Sequence, residues 1–145
     1  MPDVPIRQYV LSPPSELVGL LAARGDTLSA LSRIFTETIF KSMDHRLDFD
    51  GKVNCGAITF VQRFTKTLSC YPHLHVLVLD GAYIETEDDG LEFIDDPGPL
   101  PADLNAIEAE VLRRFERWLR RHGYLDDEPV AAERDDAWWL AAACA

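Results

Sequence analysis

The chain has 145 residues, 47% hydrophobic and 27% charged, enough for one domain with its own core. No run approaches the roughly 18 to 20 apolar residues of a bilayer span, and three cysteines without a C-x-x-C pair (Cys55, Cys70, Cys144) exclude a disulfide framework and a zinc ribbon. The net charge of −11 lies wholly in residues 81–145, while residues 1–80 sum to zero, which argues against phosphate binding by the C-terminal half and leaves the N-terminal half undecided.

The opening "MPDVPIRQYVLSPP" carries an early acid and several prolines, so it does not read as a signal peptide, and the expected location is intracellular. Within it "IRQYVLS" (6–12) predicts a short strand, stopped by Pro13-Pro14. Ser15 then caps a helix through "ELVGLLAAR". Gly25 interrupts the pattern, and a helix over 27–41 places Leu28, Leu31, Ile34, Phe35 and Ile39 on one face. Whether 15–41 is one kinked helix or two stays open at this level. Residues 42–56 read as a polar connector with a turn at Asp50-Gly51.

"AITFVQRF" (57–64) predicts a strand with Ile58, Phe60, Gln62 and Phe64 on one face and Ala57, Thr59, Val61 and Arg63 on the other. "HLHVLVLDG" (73–81) predicts its antiparallel partner. A further hairpin around Asp89-Gly90 continues it, and prolines 97, 99 and 101 end that hairpin. A helix over 103–122 carries Leu104, Ile107, Val111, Phe115 and Trp118 on one stripe, with Arg117, Arg120 and Arg121 late, where they complement the dipole. The closing "DDAWWLAAACA" has no clear partner. The order of elements predicts an α+β fold, an antiparallel sheet with helices packed on one face.

The chemistry lies in "PHLHV". The period of two puts His73 and His75 on one face with Leu77 and Leu79, about two strand steps of 3.3 Å apart at most. Two imidazoles so placed can share one metal ion if a third ligand joins them. They can equally be polar residues of a half-buried strand, although neighbours so apolar leave such residues in need of partners.

The stretch "GAITFVQRFTKTLSCYPHLHVLVLDGAYIE" resembles the core of the transposases of the rolling-circle, two-tyrosine type. These belong to the HUH endonuclease superfamily, where U is a bulky apolar residue. The family pattern of a G-x-[VI]-T-F-V-Q-R-F strand followed by H-[FL]-H-x-L-x-L-D-G is met by Thr59, Phe60, Val61, Gln62, Arg63 and Phe64, then by His73, Leu74, His75, Leu77, Leu79, Asp80 and Gly81. "VPIRQYVLSPP" and the helix ending "RRHGYLDDE" resemble the family's flanking segments, so the resemblance covers residues 4–128.

The resemblance implies an HUH or ferredoxin-like core in which His73, His75 and a third polar side chain hold Mg2+ or Mn2+. The implied partner is single-stranded DNA at insertion-sequence ends, with self-association possible, no membrane, and a bacterial cytoplasmic setting that becomes nucleoid-associated on DNA. A tyrosine hydroxyl attacks the scissile phosphate in such enzymes, giving nicking and strand transfer. Gln62 is the leading third ligand, with Asp44, His45 and Asp80 as alternatives that have ordinary structural uses. Arg63 and Lys66 are the candidate DNA contacts. Arg113, Arg114, Arg117, Arg120 and Arg121 alternate with acids and read as a solvated helix face.

The chain departs from the family in two respects. It has no cysteine-rich zinc segment, and its tyrosines (Tyr9, Tyr71, Tyr83, Tyr124) show no Y-x-x-x-Y pairing, with Tyr124 the one candidate nucleophile beyond the histidines' strands. The expectation is therefore a truncated copy: residues 1–125 as a partial catalytic domain and 126–145 as an acidic, alanine-rich tail, poorly ordered or aberrant. Two other readings stand beside it. One is a catalytically dead remnant; the other is a small binding module that uses Trp138 and Trp139 as an apolar anchor.

Overall fold

The computed structural model describes residues 4–126 and 139–144. In chain order these form β1 (Ile6–Ser12), α1 (Ser15–Ala23), α2 (Gly25–Leu47), β2 (Val53–Asn54), β3 (Ala57–Phe64), β4 (Cys70–Leu79), β5 (Gly81–Glu85), β6 (Leu91–Asp95), α3 (Pro101–Arg121) and β7 (Trp139–Cys144). The main sheet has the order β3-β4-β1-β7 and is antiparallel throughout. A smaller antiparallel sheet runs β2-β5-β6. The fold is α+β, as the pattern of elements predicts.

Alternation along the strands decides which face of the main sheet is covered. Tyr9 and Leu11 on β1 and Leu74, Val76 and Val78 on β4 are fully buried. They pack with Leu21 of α1, with Leu31, Phe35, Ile39 and Met43 of α2, and with Ile107, Val111, Phe115 and Leu119 of α3. The helices therefore lie on one face. The other face carries the intervening residues of β1, β3 and β4, among them Ile58 and Phe60, both exposed.

The helical region over 15–47 is two helices, broken at Arg24, whose backbone is extended. α2 runs six residues past its expected end, into the segment read as a polar connector. The apolar spacing continues there through Met43 and Leu47, both packed on the core, and Arg46 finds a buried partner. Its guanidinium grips Asp96 with two bonds, Nε to Oδ1 at 2.9 Å and Nη2 to Oδ2 at 2.5 Å, and the Asp96 side chain has no solvent exposure. "DDAWWLAAACA" also departs from expectation, because residues 139–144 of it form β7, paired with β1 from Arg7↔Cys144 to Ser12↔Trp139. Small residues suit that position, where α3 crosses close by.

A second paired charge fixes the end of β4. Arg7 donates to both carboxylate oxygens of Asp80, at 2.7 and 2.8 Å. Asp80 thus ties β1 to the β4–β5 junction. Gly81 beside it is needed for a different reason: an added Cβ would lie 2.2 Å from the Ile94 carbonyl oxygen of β6.

Removing one partner of a buried ion pair leaves the other charge unpaired, at a cost of about 3–5 kcal/mol. Asp96→Ala is expected to lower stability by about that amount, seen as a fall in the urea midpoint with an unchanged slope.

Candidate functional site

The pairing register assembles the site on the uncovered face. His73 stands opposite Gln62, and His75 stands opposite Phe60. On the other side of β4, Val10 of β1 pairs with His75 and Gln8 pairs with Leu77. Because Leu74 and Val76 must enter the core, both imidazoles are forced to the open face. Gln62 is the direct cross-strand neighbour of one histidine and the diagonal neighbour of the other. The three residues singled out as a metal set thus share one patch. The Gln62 amide Nε2 donates to the Phe64 carbonyl at 3.2 Å, and the side chain is exposed.

Each imidazole is held from behind by β1. Ser12 Oγ lies 2.8 Å from His73 Nδ1, and the Gln8 side-chain amide lies 2.7 Å from His75 Nδ1. Phe60 stacks flat on the His75 ring, with centroids 4.9 Å apart and planes within 5°. His75 Nε2 is buried and has no hydrogen-bond partner.

Two proton placements satisfy the Gln8–His75 contact. If the amide N–H donates to Nδ1, the ring proton sits on Nε2 and is left unpaired, at a cost of about 1–3 kcal/mol. If the amide is turned over, its oxygen accepts from Nδ1–H and Nε2 keeps a free lone pair. The second state is the one a ligating imidazole adopts. Burial, then the neighbouring His73, pushes the His75 pKa down and favours its neutral form. Neutral nitrogen is what a divalent cation requires.

The remaining candidates lie elsewhere. Asp80 is committed to Arg7, and Asp44 and His45 sit on the last turns of α2. Among the described residues no three His, Cys, Asp or Glu side chains cluster for a metal. Arg63 lines a groove between β3 and α2 with Ser29 and Ser32, on the far side of β3 from Gln62. Lys66 is exposed in the β3–β4 turn.

The tyrosines are spread widely. Tyr9 is fully buried, and Tyr83 packs edge-on against Phe93 in the small sheet. Tyr124 is not brought to the histidines. Its hydroxyl donates to Asp26 Oδ2 at 2.5 Å and accepts from Arg24 at 2.8 Å, at the α1–α2 junction in the helical layer. The Asp26 carboxylate pushes this phenol's pKa up, so it stays protonated near neutrality. Tyr71 alone shares the histidines' face, 5.1 Å from the His73 ring between centroids, but its hydroxyl donates to the Pro13 carbonyl at 2.6 Å. Trp138, half of the suggested apolar anchor, lies outside the described residues, and Trp139 opens β7.

Gln8 and Ser12, which contact the two imidazoles, are not singled out by the sequence. Their shared parity in "IRQYVLS" is visible, but the pairing of β1 with β4 across more than 60 residues is not. No helix among the described residues is long and apolar enough to cross a membrane.

A family described as "Putative transposase" matches residues 56–144, more than half of the chain, and the chain belongs to that family. The match takes in Gln62 and both histidines, while Gln8 and Ser12 precede it. No curated protein and no solved structure matches the chain.

If Gln8 sets the ring state, two-bond proton–nitrogen spectra of the wild type should show His75 as a single Nδ1-protonated tautomer. Gln8→Ala is expected to release it into a mixture dominated by the Nε2-protonated form usual for free imidazole; an unchanged pattern would remove Gln8 from this role.

Proposed function

We propose that the open face of the main sheet binds a divalent cation, Mg2+ or Mn2+, and single-stranded DNA, as the metal-holding half of a DNA-nicking transposase centre. The observation that carries this reading is the pair of β1 side chains behind the imidazoles, together with the orphaned Nε2 of His75. An ordinary half-buried histidine would have both ring nitrogens satisfied. His73 Nε2, His75 Nε2 and the Gln62 amide oxygen would hold the cation and leave further positions open. A cation held there would supply Lewis-acid polarisation of a phosphate oxygen and offset negative charge developing on it.

The chain's own residues supply the rest of the binding. Phe60 and Ile58 offer exposed apolar surface beside the imidazoles, and bases stack on such surface without sequence preference, each worth about 1–3 kcal/mol on an aromatic ring. Gln8, Ser12 and Phe60 fix ring orientation. Partners of this kind typically contribute about 10- to 100-fold in metal affinity.

The covalent step is assigned to no tyrosine of this chain. Tyr71 gives its hydroxyl proton to Pro13, and Tyr124 faces Asp26 in the helical layer. The protein is therefore read as binding and orienting a strand, with the attacking hydroxyl supplied from outside the described residues.

Manganese titration followed by calorimetry tests the reading. The wild type should bind about one Mn2+, and His73→Ala, which removes a ligand outright, should weaken binding by more than the roughly 10-fold lost with an outer partner. Equal binding by both proteins would contradict it. With a labelled single strand and Mn2+, no detergent-stable DNA–protein band is expected; a band lost in Tyr71→Phe or Tyr124→Phe would identify a nucleophile where this reading has none.

A further inference from the structure

The helical layer carries a groove with an unusual charge. Arg33 of α2 and Arg114, Arg117 and Arg121 of α3 line it together with Ile34 and Trp118. The three α3 arginines are spaced i, i+3, i+7 and so share one helix face. A single carboxylate answers them: Glu37 bonds both Arg33, at 3.3 Å, and Arg114. Arg114 is further fixed by donating to Thr38 Oγ1 at 3.1 Å. Arg117 and Arg121 are exposed and have no ion pair among the described residues.

Four guanidinium groups line the groove, and one carboxylate, Glu37, bonds two of them, in a chain of net charge −11. Like charges one turn apart repel by a few tenths of a kcal/mol per pair. On α3 the Glu110 carboxylate is bonded by Arg113 and also lowered in pKa by the nearby Arg114 charge, while no ion pair reaches Arg117 or Arg121 among the described residues. The distribution of charge along the sequence hides this, since it averages over a half of the chain that is acidic overall.

We infer that this groove binds the phosphate backbone of the DNA strand, as a second contact surface distinct from the histidine patch. The inference rests on the DNA-handling reading above. Guanidinium forks match phosphate oxygens in pairs, and phosphate contacts position a strand without reading its sequence. Stacking of bases is not the groove's role, because His122 already lies against the Trp118 ring with centroids 4.0 Å apart.

A route joins the two surfaces. Among the described residues β3 is an edge strand of the main sheet. Phe60, stacked on His75, also lines the groove between β3 and α2, with Arg63, Ser29 and Ser32. Ser32 is followed directly by Arg33 on α2. A strand leaving the imidazoles past Phe60 can round the β3 edge at Arg63 and continue over α2 to the arginine groove.

Fluorescence anisotropy of a labelled single-stranded oligonucleotide, measured in EDTA over a salt series, tests this. The Arg117→Gln/Arg121→Gln double variant should bind more weakly, with the slope of log affinity against log salt smaller by about 1.4, from about 0.7 per phosphate contact. Arg113→Gln, which removes a charge outside the groove, should leave the slope unchanged. An unchanged slope in the double variant, or an equal loss per charge in Arg113→Gln, would overturn the inference, as would a wild type that binds no oligonucleotide. Failure of the metal reading is seen separately: Mn2+ binding should be the same in the double variant as in the wild type, and the wild type's own Mn2+ titration decides that reading.

Discussion

The alternation of β4 is the constraint on which the rest depends. Leu74, Val76 and Val78 are buried without remainder beneath three helices, and burying such side chains stabilises by roughly 1.5–3 kcal/mol each. A slip of one residue in register would exchange the faces, placing His73 and His75 in an apolar core and three apolar side chains in water. The hydrophobic core therefore sets the direction of the imidazoles with a strength that no local contact at the site could supply. The site is a by-product of the packing on the opposite side of the same strand.

Position along the strand is fixed as firmly as the choice of face. The Arg7–Asp80 pair locks β1 against the end of β4, and this register brings Gln8 and Ser12 behind His75 and His73. Arg46 and Asp96 fasten α2 to the segment leaving β6, and the Asp96 amide donates to the Asp80 carbonyl at 2.9 Å. The two ion pairs thus meet at one corner of the fold. Rigidity arriving from that corner would suit the proposed metal site, whose ligands would have to be held in place before the ion arrives.

Much of this was legible in the sequence, for local reasons. Period-two patterns gave β3 and the histidine strand, and the three-four spacing gave both long helices. The shared face of His73, His75 and Gln62 needed only strand parity and a hairpin. What was hidden depends on long-range pairing: β1 enters between β4 and β7, so the partners of the imidazole Nδ1 atoms come from the start of the chain. The final strand was unreadable because alanine-rich "LAAAC" has weak strand propensity and gains its conformation from β1. The extension of α2 was missed because Arg46 and His45 look like connector residues until Asp96 is seen in space. The tyrosines were ambiguous for a related reason, since the direction of a hydroxyl depends on partners such as Pro13 and Asp26 that lie far away in sequence.

The central claim is that both imidazoles present Nε2 to one cation. Electron spin-echo envelope modulation of the Mn2+-loaded protein counts the imidazole nitrogens bound to the metal. The account predicts two, falling to one in His75→Ala. A spectrum without imidazole nitrogen coupling, at a protein-bound Mn2+, would contradict it.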